Sequence, residues 1–538
     1  MAYIVRRKVN GRSYFFKVAG YRDENGKVKQ RVLEYYGVHD PRVEPGATPI
    51  VKKNATATYR FGDVSMLYHA AEKIGMIDTI NKYVPKRQGL SLGLELFLTA
   101  AHRLLDDKPS SANLQRWVKT THLPLLLNFD PERITDNTQQ YLMNKLYDKD
   151  RNIDHLLKIS TDLYEATLPL FGKEENLFFY DVTSTYFEGR CCPLAKISYY
   201  HDGILNKLQI NVGMVVNGKY GIPITSKVFE GDIKDTETVY EMVYYTKFIF
   251  GKEKGLLIMD RGMDSEDNIK IMDTVKYDYI VGLRSNHSFV EKLKATTDPI
   301  AEQWETYENK DQIIRMRKYT RNIFGKRRYV LIYYNAAIAA FQAEARQRKI
   351  DEAITRLAKL RGSTISKAGE ITTGLKKYIV VENNNGKIAW RINKTGVRHA
   401  EKQDGKFCLV TSKDAPAVEI FKLYFSKDKV EKCFRHMKQD ASLHPTYKRL
   451  AEHVRADVFV CHLAYLLLVV AEHLVRQNKI NVFWDQLSSE TENIRLIEYQ
   501  NLEGKKQFQI VPNNEIQKNI VDKLNLINQL PVVLTKSK

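Results

Sequence analysis

The pattern of hydrophobic and polar positions changes along the chain, and its first part alternates as strands do. Strand-like segments cover Tyr3–Val9, Arg12–Arg22 and Lys27–Tyr36, and they are separated by Asn10-Gly11 and Asn25-Gly26. Both dipeptides are typical of tight hairpin turns. We therefore predict a basic β-meander over residues 1–55.

The next part of the chain, residues 56–172, favours helices. Apolar residues recur at helical spacing in Leu90–Leu105 and Ser111–Lys119, for example. Short helices joined by short loops in a basic protein fit a helix-turn-helix, and a plain helical bundle fits equally well. We predict a helical domain here and assign DNA binding to it.

From Asn176 onward the pattern becomes that of an α/β sheet. Strand-like segments are followed by a helix and then by a short apolar run that ends at Asp260; in order they are Leu177–Phe187, Lys207–Val216, Ile222–Phe229, Thr236–Phe250 and Leu256–Met259. This β-β-β-α-β order predicts a sheet that begins antiparallel and gains a parallel strand through a crossover helix.

A long interval separates this region from the next motif. Between Asp260 and Glu431 lie 170 residues, far more than one crossover needs. We therefore predict a core built from residues 173–290 and 401–475, interrupted by an inserted subdomain over residues 291–400. Residues 476–538 are expected to be helical or irregular.

Charge and composition narrow the possible partners. The chain has 84 Lys and Arg against 64 Asp and Glu, a formal charge of +20. This excess favours a polyanionic partner such as nucleic acid, although a merely basic protein of another class is the alternative.

Five cysteines without metal-finger spacing indicate reduced thiols. The most apolar stretch, Val458–Val470, is shorter than the ~20 residues of a membrane span. We expect a buried core helix there, no membrane partner and a cytoplasmic, nucleoid-associated location.

Two aspartates stand out because they lie in or directly after apolar strands. Asp181 interrupts the segment FFYDVTSTYFEG, where a charge is costly unless it is paired or bound to a cation. The alternative is that the hydroxyl of Thr183 or Ser184 satisfies it. Asp260 ends a buried strand, where ligands gather in α/β sheets. Its rival is Asp264, which has an alternative role as a helix N-terminal carboxylate.

The third segment is YFSKDKVEKCFRHMK. On one continuous helix, Tyr424, Lys427, Glu431 and Lys438 fall within a stripe of roughly 60°, at about 100° per residue. A carboxylate suits Mg²⁺ and the two cations suit phosphate. The alternative is a solvated face with a Lys427–Glu431 pair, and a helix break near Ser426 is predicted to remove Tyr424 from the stripe.

Taken together, the three segments resemble the DDE transposases of bacterial insertion sequences, in the branch whose third segment reads Y-x2-R-x3-E-x6-K. Tyr424, Glu431 and Lys438 match that pattern, and Lys427 replaces its arginine. The family's D-x-T appears as Asp181-Val182-Thr183, and its D-R-G as Asp260-Arg261-Gly262.

The resemblance implies an α/β fold with a ribonuclease H-like mixed-sheet core and a β-rich insertion before the last catalytic helix. Asp181, Asp260 and Glu431 are then the catalytic residues, and they hold two Mg²⁺ or Mn²⁺ ions. Tyr424, Lys427 and Lys438 contact DNA near the scissile phosphate. The implied partners are double-stranded DNA, as element ends and target, and a second copy of the chain in a synaptic complex.

The expected insertion carries a further basic segment. From Arg315 to Arg328 the chain has seven basic residues and no acidic ones, among them Arg315, Arg317, Lys318 and Arg321, interleaved with the aromatic Tyr319 and Phe324. This pattern suits DNA backbone contacts. An exposed hairpin rich in Lys and Arg is the alternative. By resemblance, Trp390 and Trp304 are candidates for stacking on a flipped base, and burial in a core is the alternative for each.

These observations predict a DNA transposase. The alternatives are a ribonuclease H-like nuclease that cuts without joining, and a DNA-binding relative that has lost the chemistry. The presence of all three carboxylates argues against the second alternative.

Overall fold

The structure is a computed structural model. It describes residues 2–9, 12–22, 26–43, 54–86, 88–106, 109–148, 153–172, 176–188, 191–198, 207–251, 254–309, 312–360, 365–384, 387–444, 446–500 and 506–531. The chain forms two compact units, one of residues 1–145 with 466–538 and the other of residues 146–465.

The first unit begins with strands and continues with helices. Its elements before residue 146 are β1 (Ala2–Val9), β2 (Arg12–Arg22), β3 (Val28–Gly37), β4 (Asn54–Arg60), α1 (Gly62–Lys73), α2 (Met76–Tyr83), α3 (Leu92–Leu105), α4 (Ser111–Thr120), α5 (Leu123–Leu126), a 3₁₀ turn (Pro131–Arg133) and α6 (Asp136–Leu146).

The strands β1, β2 and β3 form the predicted antiparallel meander. Its buried side chains are Phe15, Val18 and Tyr36. Asn10, Gly11 and Asn25, at the predicted hairpin turns, lie outside the described residues. The helical character predicted for the following region is confirmed as far as α6, and the next helix belongs to the second unit.

The second unit contains the following elements: β5 (Tyr147–Asp148), β6 (Ile153–Asp154), α7 (His155–Phe171), β7 (Leu177–Tyr186), β8 (Lys196–Ile197), β9 (Leu208–Asn217), β10 (Pro223–Glu230), α8 (Asp235–Phe250), β11 (Leu256–Met259), a 3₁₀ turn (Arg261–Met263), α9 (Glu266–Val275), β12 (Asp278–Gly282), α10 (Ser288–Thr296), β13 (Glu305–Asn309), β14 (Gln312–Ile323), β15 (Lys326–Asn335), α11 (Ala336–Ala358), α12 (Ile365–Ile371), β16 (Ile379–Asn384), β17 (Lys387–Ile392), α13 (Lys394–Glu401), β18 (Lys406–Thr411), α14 (Ala417–Phe425), α15 (Asp428–Gln439) and α16 (Ala451–Gln477), which continues into the first unit.

One large mixed sheet organises the second unit. Its strand order is β10-β9-β7-β11-β12-β18-β15-β14-β13, with β8 paired to β9. The pairs β7–β11 and β11–β12 are parallel, and the other neighbouring pairs are antiparallel. The predicted order of antiparallel strands, crossover helix and parallel strand is therefore confirmed in β7, β9, β10, α8 and β11.

The region expected to form the insertion divides in two. β15 pairs with β18 over six positions, from Tyr329↔Thr411 to Tyr334↔Lys406, so β13, β14 and β15 extend the main sheet. The expectation that the insertion begins at residue 291 is therefore wrong for these strands, which belong to the main sheet. The helices α11, α12 and α13 and the hairpin β16–β17 surround an apolar cluster of their own, which includes Ile350, Leu357 and Ile379.

The C-terminal part returns to the first unit with α17 (Trp484–Glu492), β19 (Arg495–Gln500), β20 (Lys506–Val511), α18 (Glu515–Lys523) and a 3₁₀ turn (Leu526–Gln529). β19 lies between β20 and β4 in a three-stranded sheet. The expectation of a helical or irregular end is thus corrected, because two strands complete a sheet with a segment more than 400 residues earlier in the chain.

Among the described residues, the helix Ala451–Gln477 alone is long and apolar enough to cross a membrane by length and composition. Of its most apolar window, 89% is buried within the protein. This burial matches the core helix predicted over Val458–Val470. The five cysteines are all free thiols.

Candidate functional site

Asp181 and Asp260 occupy equivalent positions on two neighbouring parallel strands. In the pairing of β7 with β11, Tyr180 is the partner of Met259, and each aspartate follows directly. Neighbouring strands lie about 4.8 Å apart, so the two carboxylates begin side by side. The Tyr180 hydroxyl donates to Thr238 Oγ1 on α8 at 2.6 Å. Since side chains alternate along a strand, Asp181 points away from α8.

Helix α15 brings the third carboxylate to the same place. Its buried side chains, Val430, Cys433, Phe434 and Met437, form the apolar face of the helix, and α15 packs against β7 and β9. Glu431 lies in the first turn of the helix, beside this face, and its side chain is 59% exposed. The helix therefore presents Glu431 at the open side of the site.

A lysine ammonium lies among the carboxylates. Lys427 Nζ is 2.9 Å from Asp260 Oδ1 and 3.5 Å from Glu431 Oε1. The Lys427 side chain is only 19% exposed, so the alternative of a solvated helix face does not describe it. Burial alone would lower the pKa of Lys427, but the charge and hydrogen bond of Asp260 outweigh it and raise that pKa.

Tyr424 also contacts Asp260, its hydroxyl donating to Oδ1 at 3.2 Å. Burial and the nearby Asp260 charge raise the pKa of this phenol, so it remains a proton donor. The prediction of one continuous helix is wrong, because α14 ends at Phe425 and α15 begins at Asp428. The consequence predicted for a break near Ser426 is also wrong, since Tyr424 still faces the site.

The break leaves Tyr424 in place because the two linking residues stay close to helical geometry. Ser426 has φ −74° and ψ −1°, and Lys427 has φ −64° and ψ −10°. The Lys427 N–H donates to the Tyr424 carbonyl at 3.3 Å, and the Val430 N–H donates to the Lys427 carbonyl at 3.0 Å. These i to i+3 bonds form a tighter, 3₁₀-like turn that continues the direction of the chain.

The two aspartates differ in their electrostatic environment. Burial raises the pKa of Asp181 to about 7; Asp260 and Glu431 add to this, whereas the Val182 N–H and Lys427 oppose it. Burial would also raise the pKa of Asp260, but Lys427, the Arg261 N–H and the Tyr424 hydroxyl lower it overall. Burial thus favours the protonated form of Asp181, whereas the contacts of Asp260 favour its ionised form.

Asp181 and Asp264 make different local contacts. Asp181 accepts a hydrogen bond from the Val182 N–H at 2.8 Å. The buried hydroxyl of Ser184 has no hydrogen-bond partner among the described residues. Asp264 directly precedes Ser265, whose side chain caps α9. The carboxylate of Asp264 pairs with His287 Nε2 at 2.7 Å. The contact with His287 was not foreseen from sequence.

The donor set suits a hard divalent cation, since carboxylate oxygens are the ligands that Mg²⁺ and Mn²⁺ prefer. As the side chains stand, no three ligating groups among the described residues are placed to hold one ion. The Lys427 ammonium lies between Asp260 and Glu431, where a cation would bind. Asp181, Asp260 and Glu431 would hold a metal after Lys427 withdraws and the exposed Glu431 side chain turns inward.

The other predicted DNA contacts lie elsewhere. Lys438 is in the last turn of α15, roughly 10 Å along the helix from Glu431 at 1.5 Å per residue. On β14, Arg315 donates to the Pro299 carbonyl at 2.8 Å, and Arg317 pairs with Glu302 at 2.5 Å. Lys318 pairs with Asp414 at 2.7 Å.

The remaining candidates are an exposed arginine and two tryptophans. Arg321 is exposed, with its guanidinium 5.6 Å from the ring centre of Tyr319. Trp304 is 8% exposed, and its Nε1 lies 3.4 Å from Glu302. Trp390 packs against the apolar cluster of α11 and α12. Both tryptophan positions favour the packing alternative.

Sequence reasoning missed Gly282, the last residue of β12. A Cβ added there would lie 2.6 Å from the Tyr424 hydroxyl and 3.1 Å from Arg261 Cβ. Only a residue without a side chain allows Tyr424 to approach Asp260 from this side. A lone glycine at a strand end carries no sequence signal for such a role.

Comparison with known proteins bears on the family. No curated protein matches the sequence. A solved structure of a piggyBac transposase synaptic complex with hairpin DNA aligns over 90% of this chain and 90% of its own, with 9% identity and a TM-score of 0.39. Residues 180–467, more than half of the 538-residue chain, match the family described as the transposase DDE domain. The chain therefore belongs to the DDE transposase family.

Proposed function

We propose that this transposase belongs to the bacterial insertion-sequence branch, cuts DNA phosphodiesters at the ends of its element and joins the freed 3′-OH to target DNA. Asp181, Asp260 and Glu431 are the catalytic carboxylates in this proposal. The observation that carries it is their convergence around the single ammonium of Lys427.

The proposal includes two Mg²⁺ or Mn²⁺ ions held by the three carboxylates. Such ions supply activation of the attacking water or 3′-hydroxyl and stabilisation of the leaving oxygen. The partly buried Asp181 and the hydrogen-bonded Asp260 form the fixed side of the site. Glu431 is exposed and completes it from α15.

The residues around the carboxylates have separate tasks. Tyr424 orients Asp260 through its hydroxyl, and its raised pKa keeps that proton in place. Lys427 neutralises the carboxylates while the site holds no other cation. Once released, its ammonium lies within the site to contact a DNA phosphate, as a compact charge without the bidentate geometry of arginine.

The wider proposal follows from the same site. A mixed sheet with acidic residues at equivalent positions of two parallel strands, and a third acid on a helix packed against it, supports a ribonuclease H-like core interrupted by α11–α13 and β16–β17. The +20 charge supports double-stranded DNA as partner and a nucleoid-associated, cytoplasmic location. A homodimer that pairs two element ends completes the proposal.

The test is a strand-transfer assay with the purified protein, Mg²⁺ and labelled DNA carrying the inverted repeats that flank its gene. We expect cleaved and joined products from the wild-type protein. Glu431→Gln is expected to reduce both by roughly a thousandfold, about 4 kcal/mol in the activation barrier. Asp428→Asn, on the same helix but paired with Lys432 at 2.9 Å, serves as control and should retain activity.

The outcomes separate the alternatives. Cleavage without joining, when ends are paired, would show a nuclease. No cleavage by the wild-type protein, with DNA binding intact, would show a silent DNA-binding relative. Full activity of Glu431→Gln would refute the assignment of the third carboxylate.

A further inference from the structure

The direction of the Asp260 carboxylate depends on a short turn that follows it. Asp260 precedes the 3₁₀ turn Arg261–Met263, which is too short to be rigid by itself. Two carbonyls of this turn, those of Arg261 and Gly262, accept hydrogen bonds from the guanidinium of Arg284. The Nε of Arg284 lies 3.1 Å from the Arg261 oxygen.

Arg284 is itself held by Asp264. The Arg284 backbone N–H donates to Asp264 Oδ2 at 2.8 Å, and the same oxygen pairs with His287 Nε2 at 2.7 Å. Asp264 is only 3% exposed, and its other oxygen is buried without a hydrogen-bond partner among the described residues. The buried carboxylate therefore depends on these two contacts, since an unsatisfied buried charge is costly.

The ring of His287 is oriented by packing. Its centre lies 5.6 Å from that of Phe289 and 6.0 Å from that of Phe324, and His287 is the N-cap residue of α10. Arg284 follows β12, which pairs in parallel with β11. The contacts of Arg284 and His287 thus connect the segment that follows β12 with the turn that follows β11, at the carboxyl ends of these two parallel strands, where Asp260 lies.

We infer that Asp264, Arg284 and His287 are positioning residues for Asp260: they fix the Arg261–Met263 turn so that the Asp260 carboxylate points into the site. This inference rests on the proposed function. The three residues reach Asp260 through the backbone of the turn. Their role is to keep the carboxylate ready to bind a divalent cation without reordering the loop, as outer contacts do in other metal sites.

The test measures Mn²⁺ binding to the full-length protein by electron paramagnetic resonance, without DNA, together with thermal unfolding in EDTA. We expect Arg284→Met to weaken Mn²⁺ binding about tenfold to a hundredfold. Arg284→Lys, which retains the positive charge and a single donor nitrogen, should restore part of the affinity. Lys270→Met on α9, which removes an exposed pair with Glu266 at 2.6 Å, is the control and should bind Mn²⁺ as the wild type does.

His287→Gln tests the same idea through a milder change, because glutamine keeps a donor that reaches the Asp264 oxygen. If Arg284→Met does not fold, the affinities of Arg284→Lys and His287→Gln decide the question, with both expected below wild type. In strand cleavage, a positioning role predicts a lower kcat with an unchanged KM for DNA.

Two results are distinguishable from each other. A variant with wild-type Mn²⁺ affinity and only a lower melting temperature would show that these contacts are structural, and would overturn the inference. A wild-type protein that binds no Mn²⁺ and cuts no DNA would instead contradict the proposed function.

Discussion

Lys427 places its ammonium 2.9 Å from Asp260 and, on its other side, 3.5 Å from Glu431. One lysine thus connects two of the carboxylates that the proposed chemistry requires as metal ligands. A monovalent side chain and a divalent ion compete for the same oxygens.

Lys427→Met should increase the affinity for Mn²⁺ by about tenfold, which is about 1.4 kcal/mol in binding free energy. The physical reason is that the metal no longer has to displace a bound ammonium from Asp260 and Glu431. The same variant should unfold at a lower temperature in EDTA and gain more stability from added Mn²⁺. Calorimetric titration and thermal unfolding measure these two effects.

Lys432→Met is the matched control for this prediction, because Lys432 lies on the same helix and pairs with Asp428 rather than with the site. Its affinity for Mn²⁺ should equal that of the wild type. An unchanged or weaker affinity in Lys427→Met would contradict the competition.

Gly282→Ala should destabilise the protein by about 1–3 kcal/mol, the usual cost of overpacking. The added methyl group would lie 2.6 Å from the Tyr424 hydroxyl, which is held in a buried position beside Asp260. Urea denaturation gives the free energy of unfolding.

Tyr424→Phe removes the atom closest to that methyl group and provides the control. The double variant should therefore be less destabilised than the sum of the two single variants, as expected for residues in contact. Simple additivity of the two costs would show that Gly282 does not make room for Tyr424.

Arg328→Ala should lower the free energy of unfolding by about 3 kcal/mol, because the buried Tyr279 hydroxyl and the Ile323 carbonyl lose the charged donor that satisfies them. Arg328 is 2% exposed and pairs with Asp273 at 2.6 Å. It also donates to the Tyr279 hydroxyl at 2.5 Å. The neighbouring Arg327 is exposed, and Arg327→Ala should change stability by less than about 0.5 kcal/mol. Equal losses of stability in Arg328→Ala and Arg327→Ala would contradict a stabilising role of the buried Arg328 contacts.

His122 predicts a loss of stability in acid. Burial lowers the pKa of His122 to about 4, although a hydrogen bond to the Arg60 carbonyl acts in the opposite direction. Its unfolded pKa is about 6.5. Between these values the unfolded chain binds a proton that the folded protein excludes, so stability is complete above about pH 6.5 and falls as the pH drops toward 4.

His122→Gln should make the free energy of unfolding less dependent on pH in this window, as measured by urea denaturation from pH 4 to 8. His102 keeps part of the dependence, since burial also lowers its pKa to about 4. If the free energy of unfolding of His122→Gln depends on pH as steeply as that of the wild type, His122 is not the source of the acid sensitivity.

Sequence alone predicted the elements that depend on local pattern. The apolar strands around Asp181 and before Asp260 were recognisable because a charge within a buried strand breaks a strong alternation or run. The meander and the order β-β-β-α-β followed from the same periodicities. The spacing of Glu431 and Lys427 placed both on one side of a helix, and their 3.5 Å contact agrees with that.

Only the tertiary structure decided which segments pair and where each charge goes. β15 joins β18, and β4 joins β19, across long stretches of chain that no local pattern connects. The basic segment that was predicted to bind DNA includes Arg328, which is buried, and Arg317, which pairs with Glu302. The periodicity of a segment shows which of its side chains face the core. Its contact partners are selected by packing and charge neutralisation among segments that are distant in sequence. Gly282 and His287 therefore acquire their roles only in the folded chain.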